Sequence, residues 1–505
     1  MTMDHLFSPV PARDWWITLG LVSGILAVVF LAEALRHRRR WPEEVTRKFV
    51  HVAVGVLTVL APLLLSASLP PVLMGVLFTG ANLMALRKGR FRSMHGSRHS
   101  YGTVFYPLAF LLLVPGCWPA YRGILILAML VLALADAAAA MVGESVPRPH
   151  TFRLLGDAKS LEGSAAMFAV TAAVVFAGLR GVPFPGTAFP LDIGSAAMCA
   201  LTTAAVATVA EALSSRGSDN LSVPLFTALM LYVWLTQGAA AGARLTSGVL
   251  LGALTAGASL RVGFLSPSGA AAAFLLATVV FGLGGWTWAV PILVFFIPSS
   301  LLSRVGSGRK ALPAAVFEKG SRRDFGQVLA NGGVAGGLVI LHLFFPAPVL
   351  YGMYVAALAA AGADTWATEL GILSPLPPRR ITTGRRVPPG TSGGVTAVGL
   401  LGGLGGAAVV ALSGWGFMEN GGWVLPAAIT VCGFIGSLVD SLVGATLQAQ
   451  YRCPVCGRIT EKAIHCADAP AELISGHPRL TNDGVNFICT LSGALCWAAV
   501  VMFVC

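Results

Sequence analysis

Apolar residues in this chain run in long blocks, without the two-residue alternation of a surface strand or the one-sided stripe of a soluble helix. Each block ends in short polar punctuation rich in Gly, Pro, Ser, Arg or Lys. A helix rising 1.5 Å per residue needs roughly 20 such residues to cross a bilayer. By that criterion about sixteen stretches are candidate spans: 15–34, 48–66, 70–86, 103–118, 121–142, 164–182, 194–213, 221–239, 246–263, 270–284, 286–303, 327–345, 349–370, 394–413, 424–446 and 485–504. The pattern predicts an all-α polytopic membrane protein.

The punctuation itself repeats. Asp136 is followed by Gly143 and then Lys159-Ser-Leu-Glu-Gly-Ser164, and Asp364 by Gly371 and then Arg386-Val-Pro-Pro-Gly390. The Asp-to-Gly gap is seven residues in both, and the Asp-to-cation gap is 23 in the first and 22 in the second. Upstream, Arg47-Lys48 and His51 parallel Arg322-Arg323, Gln327 and Asn331, and downstream, Glu211 with Ser218-Asp219-Asn220 parallels Asp440 with Thr481-Asn482-Asp483. Three matched blocks in one order predict an internal duplication, two related halves of about eight helices each. The break is expected where small residues from Gly238 lead to Arg244, giving domains 1–242 and 243–505, the latter with a Cys-rich loop at 448–484.

Composition agrees: 56% hydrophobic and 11% charged residues leave too little polar surface for a soluble globule of 505 residues. A formal charge of +12 would suit a nucleic-acid partner, but the basic residues form no stripe or tail. With the N-terminus outside, all 34 Lys and Arg residues but Arg13, Arg122, Arg180 and Arg244 fall in the inner loops. The positive-inside rule therefore accounts for the charge, leaves a nucleic-acid partner no place and turns the matched blocks toward the cytosol. Arg13 is the lone cation before the first span, which Arg36 to Arg40 stop, so an anchor rather than a cleaved leader is expected. Of nine cysteines, Cys453 and Cys456 stand in a Cys-Pro-Val-Cys spacing with His465-Cys466 downstream, a pattern suited to a tetrahedral Zn²⁺ site whose fourth ligand is His465 or His477. An unmetallated loop is the alternative.

Asp136, Glu211, Asp364, Glu369 and Asp440 interrupt apolar helices, where acids are expensive and mark function unless a neighbouring Lys or Arg merely pairs with them. Carboxylates, a Lys or Arg, Asn and glycine-rich turns at a membrane surface together suit phosphoryl transfer. Carboxylates hold Mg²⁺, cations neutralise phosphate, and small residues let backbone N–H groups approach it. The loop Gly156 to Ser164 and the stretch Thr391 to Gly394 each open a span, so their N–H groups can face an anion. Gly156-Asp-Ala-Lys159-Ser160 lacks the earlier glycine of a Walker A loop, and Gly282–Gly285 and Gly402–Gly406 read as close helix packing. His51 stands one turn after Arg47, as Gln327 does after Arg323; because Gln cannot act as a base, a shared role would be hydrogen bonding to substrate.

Through Arg47-Lys48-Phe-Val-His51, Tyr101-Gly102, Tyr106-Pro107, Ala135-Asp136 to Gly143, Lys159 to Ser164, and Glu211 to Pro224, the first half resembles the phytol kinase and dolichol kinase family, relatives of the CDP-diacylglycerol synthases. The second half resembles the family that includes phytyl phosphate kinase. Its likeness rests on Ser321 to Asp324, Gln327 to Gly333, Ala363 to Glu369, Gly390 to Gly394, Gly436 to Gly444 and Thr481 to Asn486. The resemblance implies a fusion that phosphorylates an isoprenoid alcohol, phytol or geranylgeraniol, with CTP and Mg²⁺ to the monophosphate and then the diphosphate. On this reading Asp136, Glu162, Glu211 and Asp219 serve the metal or the alcohol, Lys159 and Ser160 the phosphates, and Arg47, Lys48, His51 and Asn220 position the nucleotide. Asp364, Glu369, Arg386, Asp440, Asn482 and Asp483 serve the second site with Arg322, Arg323, Gln327 and Asn331, and Asp364 and Asp440 are its Mg²⁺ ligands. Glu162 faces Pro389 in that alignment, so the two sites cannot bind metal identically. Cytidylyl transfer and a two-repeat transporter are the alternatives.

Overall fold

A computed structural model describes residues 9–88, 100–181, 191–304, 322–418, 422–457, 459–466 and 469–504. Among them every predicted span is helical: α1 (Ala12–Arg39), α2 (Glu43–Leu64), α3 (Leu69–Arg87), α4 (Gly102–Cys117), α5 (Arg122–Ser145), α6 (Leu161–Gly181), α7 (Ile193–Ala212), α8 (Asp219–Thr236), α9 (Ala239–Val262), α10 (Pro267–Gly284), α11 (Trp286–Leu302), α12 (Phe325–Phe344), α13 (Pro348–Gly371), α14 (Ala397–Trp415), α15 (Val424–Thr446) and α16 (Asn482–Val504). Twelve of these described helices are long and apolar enough to cross a membrane, and α4 and α11 are shorter apolar helices. The protein is an all-α, multi-pass membrane protein. It divides into two compact units, Met1–Val249 and Leu250–Cys505, the division falling within α9.

Side chains start several helices where the sequence places a cap. Asp192 accepts from Ser195 N at 2.8 Å, and Ser266 from Gly269 N at 3.2 Å with Pro267 at the first helical position. Asp324 and Gln327 form a reciprocal capping box at the head of α12.

In the first unit α5 is the buried helix, with Leu125, Leu132 and Val131 inaccessible. Around it pack α2, α6 and α8, while α7 bridges α6 and α8. In the second unit α13 plays that part. It presents a run of small residues from Ala356 to Ala363, broken by Leu358, all fully buried, to α14, α15 and α16. In a bilayer, lipid competes with apolar side chains, so helices associate best where small residues let backbones approach. Gly406 shows how close: a Cβ there would lie 2.7 Å from Gly362 O, and one on Gly402 2.6 Å from Leu370 Cδ1. The glycine cluster Gly402–Gly406 is thus a packing surface, as its place within a span predicts.

Between α5 and α6 runs a two-stranded antiparallel ladder, β1 (Thr151–Phe152) with β2 (Lys159–Ser160); between α13 and α14 runs another, β3 (Arg379–Arg380) with β4 (Gly394–Val395). The link from α15 to α16 carries β5 (Gln450–Arg452), β6 (Ile459–Thr460), β7 (Ile464–His465), β8 (Ala469–Pro470) and β9 (Glu472–Ser475), with β5 central between β6 and β9 and β7 paired to β8.

Candidate active site

Asp136 closes a π-helical stretch, Val131–Asp136, inside α5. A widened turn breaks the regular ladder of backbone bonds and such turns cluster at functional sites. Here the Leu132 carbonyl takes a side-chain partner, His51 Nε2, at 3.0 Å. The same nitrogen lies 3.6 Å from Asp136 Oδ2, and the His51 ring meets Tyr106 edge-on with centroids 5.1 Å apart. α2 reaches this close because Gly55 has no side chain: a Cβ there would sit 2.4 Å from Ala133 Cβ.

Glu211 ends α7 and Asp219 begins α8, so the turn between them brings both acids to Asp136. Carboxylate oxygens of all three lie within 4.8 Å of one another. The turn is held by Arg216 N donating to Asp157 at 2.8 Å and by Tyr101 N donating to Arg216 O at 2.8 Å. Gly217, at φ +84°, is required there, since a Cβ would lie 2.4 Å from Gly102 N. Lys159 reaches in from β2, its Nζ 2.5 Å from Glu211 and 3.3 Å from Asp219. Burial pulls this ammonium's pKa down, but Asp219 and Glu211 outweigh it, and the net shift is upward from the ordinary lysine value, so the cation is fixed at neutral pH.

These groups line one end of a cavity of about 540 Å³. Arg47, Lys48, His51, Ser160 and Asn220 share that polar end, with Lys48 paired to Glu144 and Arg47 to Glu44 at 2.7 Å. Apolar side chains make up much of the other wall, among them Val29 and Phe30 of α1, Val54 of α2, Met74 and Phe78 of α3 and Phe110 of α4, with Thr58 and Asn82 beside them. Tyr106 was not singled out as a site residue, yet its buried hydroxyl lines the cavity and makes no hydrogen bond among the described residues. A tyrosine beside Pro107 in an otherwise apolar helix is the signal that marks it.

Glu162 stands apart from this set, which corrects the expectation that it serves metal or alcohol. From the first turn of α6 it accepts from His150 N at 3.1 Å and pairs with His150 Nδ1 at 2.7 Å. A residue two positions after Ser160 on a helix points to a different face.

The second unit repeats the frame. Ser160 Oγ accepts from Gly163 N at 3.1 Å, and Thr396 Oγ1 accepts from Gly399 N at 3.0 Å. A Cβ on Gly163 would meet Ala139 O at 2.8 Å, and one on Gly399 would meet Ala367 O at 2.7 Å; Ala139 and Ala367 each stand three residues after their Asp. Gly143 and Gly371 in turn face Ser160 and Thr396. These contacts equate Asp136 with Asp364 and Ser160 with Thr396. Lys159 then corresponds to Val395, and Arg386, expected as the second cation, lies exposed in the β3–β4 connection, bridged to Arg379.

The acids of this unit face each other: Asp364 and Asp440 are close enough to interact electrostatically, with Cys489 nearby. Gln327, expected at the substrate, is engaged in the capping box, where its amide oxygen accepts from Asp324 N at 3.1 Å, and Asn331 donates back to Gln327 O at 2.9 Å. Arg323 stacks near Phe295 and Phe296 with Glu369 as its charged neighbour, whereas Arg322 is exposed. Asn482 and Asp483 open α16, which packs on both acid-bearing helices.

In the Cys-rich loop, ligand atoms of Cys453, Cys456, His465 and Cys466 all lie within 4.8 Å of one another, so His465 rather than His477 joins the three thiols. The Cys456 N–H brings the Cys453 pKa down to about 6, while the Cys456 thiol pushes Cys466 up to about 11.

Residues 250–494 match the family described as integral membrane protein DUF92. The chain is 34% identical to Protein PGR of Arabidopsis thaliana over 275 residues, 49% of this chain and 93% of that protein. It is 35% identical to Phytol kinase of Synechocystis sp. over 238 residues, 44% of this chain and 96% of that protein. No solved structure matches the chain.

Proposed function

We propose that this chain, which belongs to the DUF92 family of integral membrane proteins, is a membrane lipid kinase whose first unit phosphorylates an isoprenoid alcohol such as phytol or geranylgeraniol. The observation that carries the reading is the amphiphilic cavity, whose lining joins three carboxylates and a lysine to apolar side chains from four helices. A prenyl chain leaves lipid reluctantly, at about 0.8 kcal/mol per methylene. The alcohol therefore lies with its tail among Phe30, Met74, Phe78 and Phe110 and its hydroxyl near Asp136. The name of the Synechocystis relative supports the same substrate class.

The hydroxyl oxygen attacks the terminal phosphorus of a nucleoside triphosphate, CTP on the resemblance above. The bond to the bridging oxygen breaks and the nucleoside diphosphate leaves with the electron pair. Asp136, with His51 3.6 Å behind it, takes the hydroxyl proton. Arg47, Lys48 and Lys159 offset phosphate charge, and Ser160 and the N–H groups opening α6 face the anion. Asp136, Glu211 and Asp219 are hard oxygen donors close enough to share one ion, a set that suits Mg²⁺; bound there it would supply charge neutralisation of the phosphates. The basic loops orient this end to the cytosol, where the nucleotide is.

The second unit converts the monophosphate to the diphosphate. Support for that step is the repeated frame around Asp364, Thr396 and Gly399. Purified protein given phytol, geranylgeraniol or farnesol with labelled CTP should yield mono- and diphosphate. Asp136→Asn should abolish the first product and Asp364→Asn should let monophosphate accumulate. Unchanged products in both variants would reject the two-site reading.

A further inference from the structure

We infer that the loop between α15 and α16 holds one Zn²⁺ on Cys453, Cys456, His465 and Cys466, and that this ion fixes Glu461 beside the acid pair of the second unit. The role given to Glu461 rests on the reading of Asp364 and Asp440 as a reaction site; the metal site does not.

The ligand set is three soft thiols and an imidazole. Around Zn²⁺ with Zn–S near 2.3 Å, tetrahedral ligands stand about 3.8 Å apart. His465 Nδ1 lies 3.6 Å from Cys456 Sγ and 3.2 Å from Cys466 Sγ, and the whole set falls within 4.8 Å. The thiols are free, so no disulfide takes the place of a metal. The Cys453–Cys456 turn is closed by Gly457 N donating to Cys453 O at 2.9 Å, which directs both sulfurs to one side. Among the described residues the loop's strands are two to four residues long, and Val455, Ile459, Ile464, Leu473 and Ile474 are exposed, so its short ladders have little apolar core to support them.

Glu461 directly follows β6, whose partner β5 runs into Cys453. Its carboxylate accepts from Ser392 Oγ at 2.7 Å and lies within electrostatic range of Asp440. Ser392 is itself pinned to the acid helix: a Cβ on the next residue, Gly393, would meet Ser441 O at 2.6 Å. The metal-bound loop thus delivers a third carboxylate to a site that its own helices furnish with two, as Asp219 does in the first unit.

Metal analysis of the purified full chain should find one zinc per chain, falling below a tenth in Cys453→Ser/Cys456→Ser. A wild-type chain that stays metal-free after incubation with zinc overturns the site. Hydrogen exchange, which needs no activity, tests the second half. Exchange at 390–394 should quicken at least ten-fold on stripping zinc with a chelator, and also in Glu461→Ala, which keeps its zinc. Unchanged exchange in both overturns the positioning of Glu461. In turnover, Glu461→Ala should slow monophosphate-to-diphosphate conversion ten-fold or more and leave alcohol phosphorylation alone; equal second-step rates overturn the role in reaction. A wild-type chain that makes no diphosphate instead sinks the kinase reading of the second unit, while zinc content and exchange still decide the rest.

Discussion

Two acid clusters sit on the same helical frame and differ in the charge placed beside them. In the first unit Asp136, Glu211 and Asp219 surround the ammonium of Lys159 at the end of an open cavity. In the second, Val395 occupies the station of Lys159, and Asp364 and Asp440 face each other. The frame that survives in both is the glycine crossing and the hydroxyl cap; the residue that differs is the one that sets charge. One unit holds a lysine at the station where the other holds a valine. That is consistent with a substrate that arrives uncharged at the first site and phosphorylated, with its cation, at the second.

Removing the counter-ion is the largest break available. Lys159→Val leaves Glu211 and Asp219 facing each other in a buried setting, and losing one partner of a buried pair costs about 3–5 kcal/mol. Alcohol phosphorylation should also fall at least ~100-fold, the scale of losing one fixed electrostatic contact to the reacting charge. The mirror change, Val395→Lys, should cost less than Lys159→Val, because it brings an ammonium to a carboxylate pair instead of taking one away. Thermal unfolding in detergent and product assays read both, and equal costs would refute the difference between the sites.

Gly163→Ala and Gly399→Ala test the shared frame. Each Cβ would press a carbonyl oxygen, Ala139 O at 2.8 Å or Ala367 O at 2.7 Å, so the two should destabilise alike, by about 1–3 kcal/mol. A clear loss at one position and none at the other would mean that the units are not equivalent there.

The spans were legible because lipid demands long apolar runs, and the Asp-to-Gly spacing was legible because a crossing glycine must keep its register with the acid. The cation was not. The first ladder spans residues 151–160 and the second 379–395, so counting from the acid lands on exposed Arg386 instead of Val395. Glu162 was misplaced because helical phase turns it to His150, Tyr106 was given no role although Pro107 beside it marks the position, and Glu461 was passed over because only folding brings it to Ser392. The pairing of Gln327 with His51 failed for a readable reason: Asp324-Phe-Gly-Gln327 is a capping-box sequence.

That correction gives a smaller contrast. Gln327→Ala loses one arm of a cap and should cost about 0.5–2 kcal/mol without changing product ratios. His51→Ala should instead lower the rate of alcohol phosphorylation about 100-fold. Matching effects on turnover would restore a common role for the two.

The smallest expected effect concerns alkaline pH. The folded pKa of Lys159 lies above its ordinary value of 10.5, because Asp219 and Glu211 together exceed the cost of burial. A raised pKa means that its contribution to stability is fully present below pH 10.5 and is lost only as pH rises through the higher folded value. Between pH 7 and about 10 the unfolding midpoint should therefore show no loss that depends on Lys159, and Lys159→Val should run parallel to the parent chain at a lower level. Above that range the two curves should converge, as the parent gives up a charge that the variant never had. Convergence beginning near neutrality would mean that the ammonium is not held by these acids, and the contrast between the two sites would fall with it.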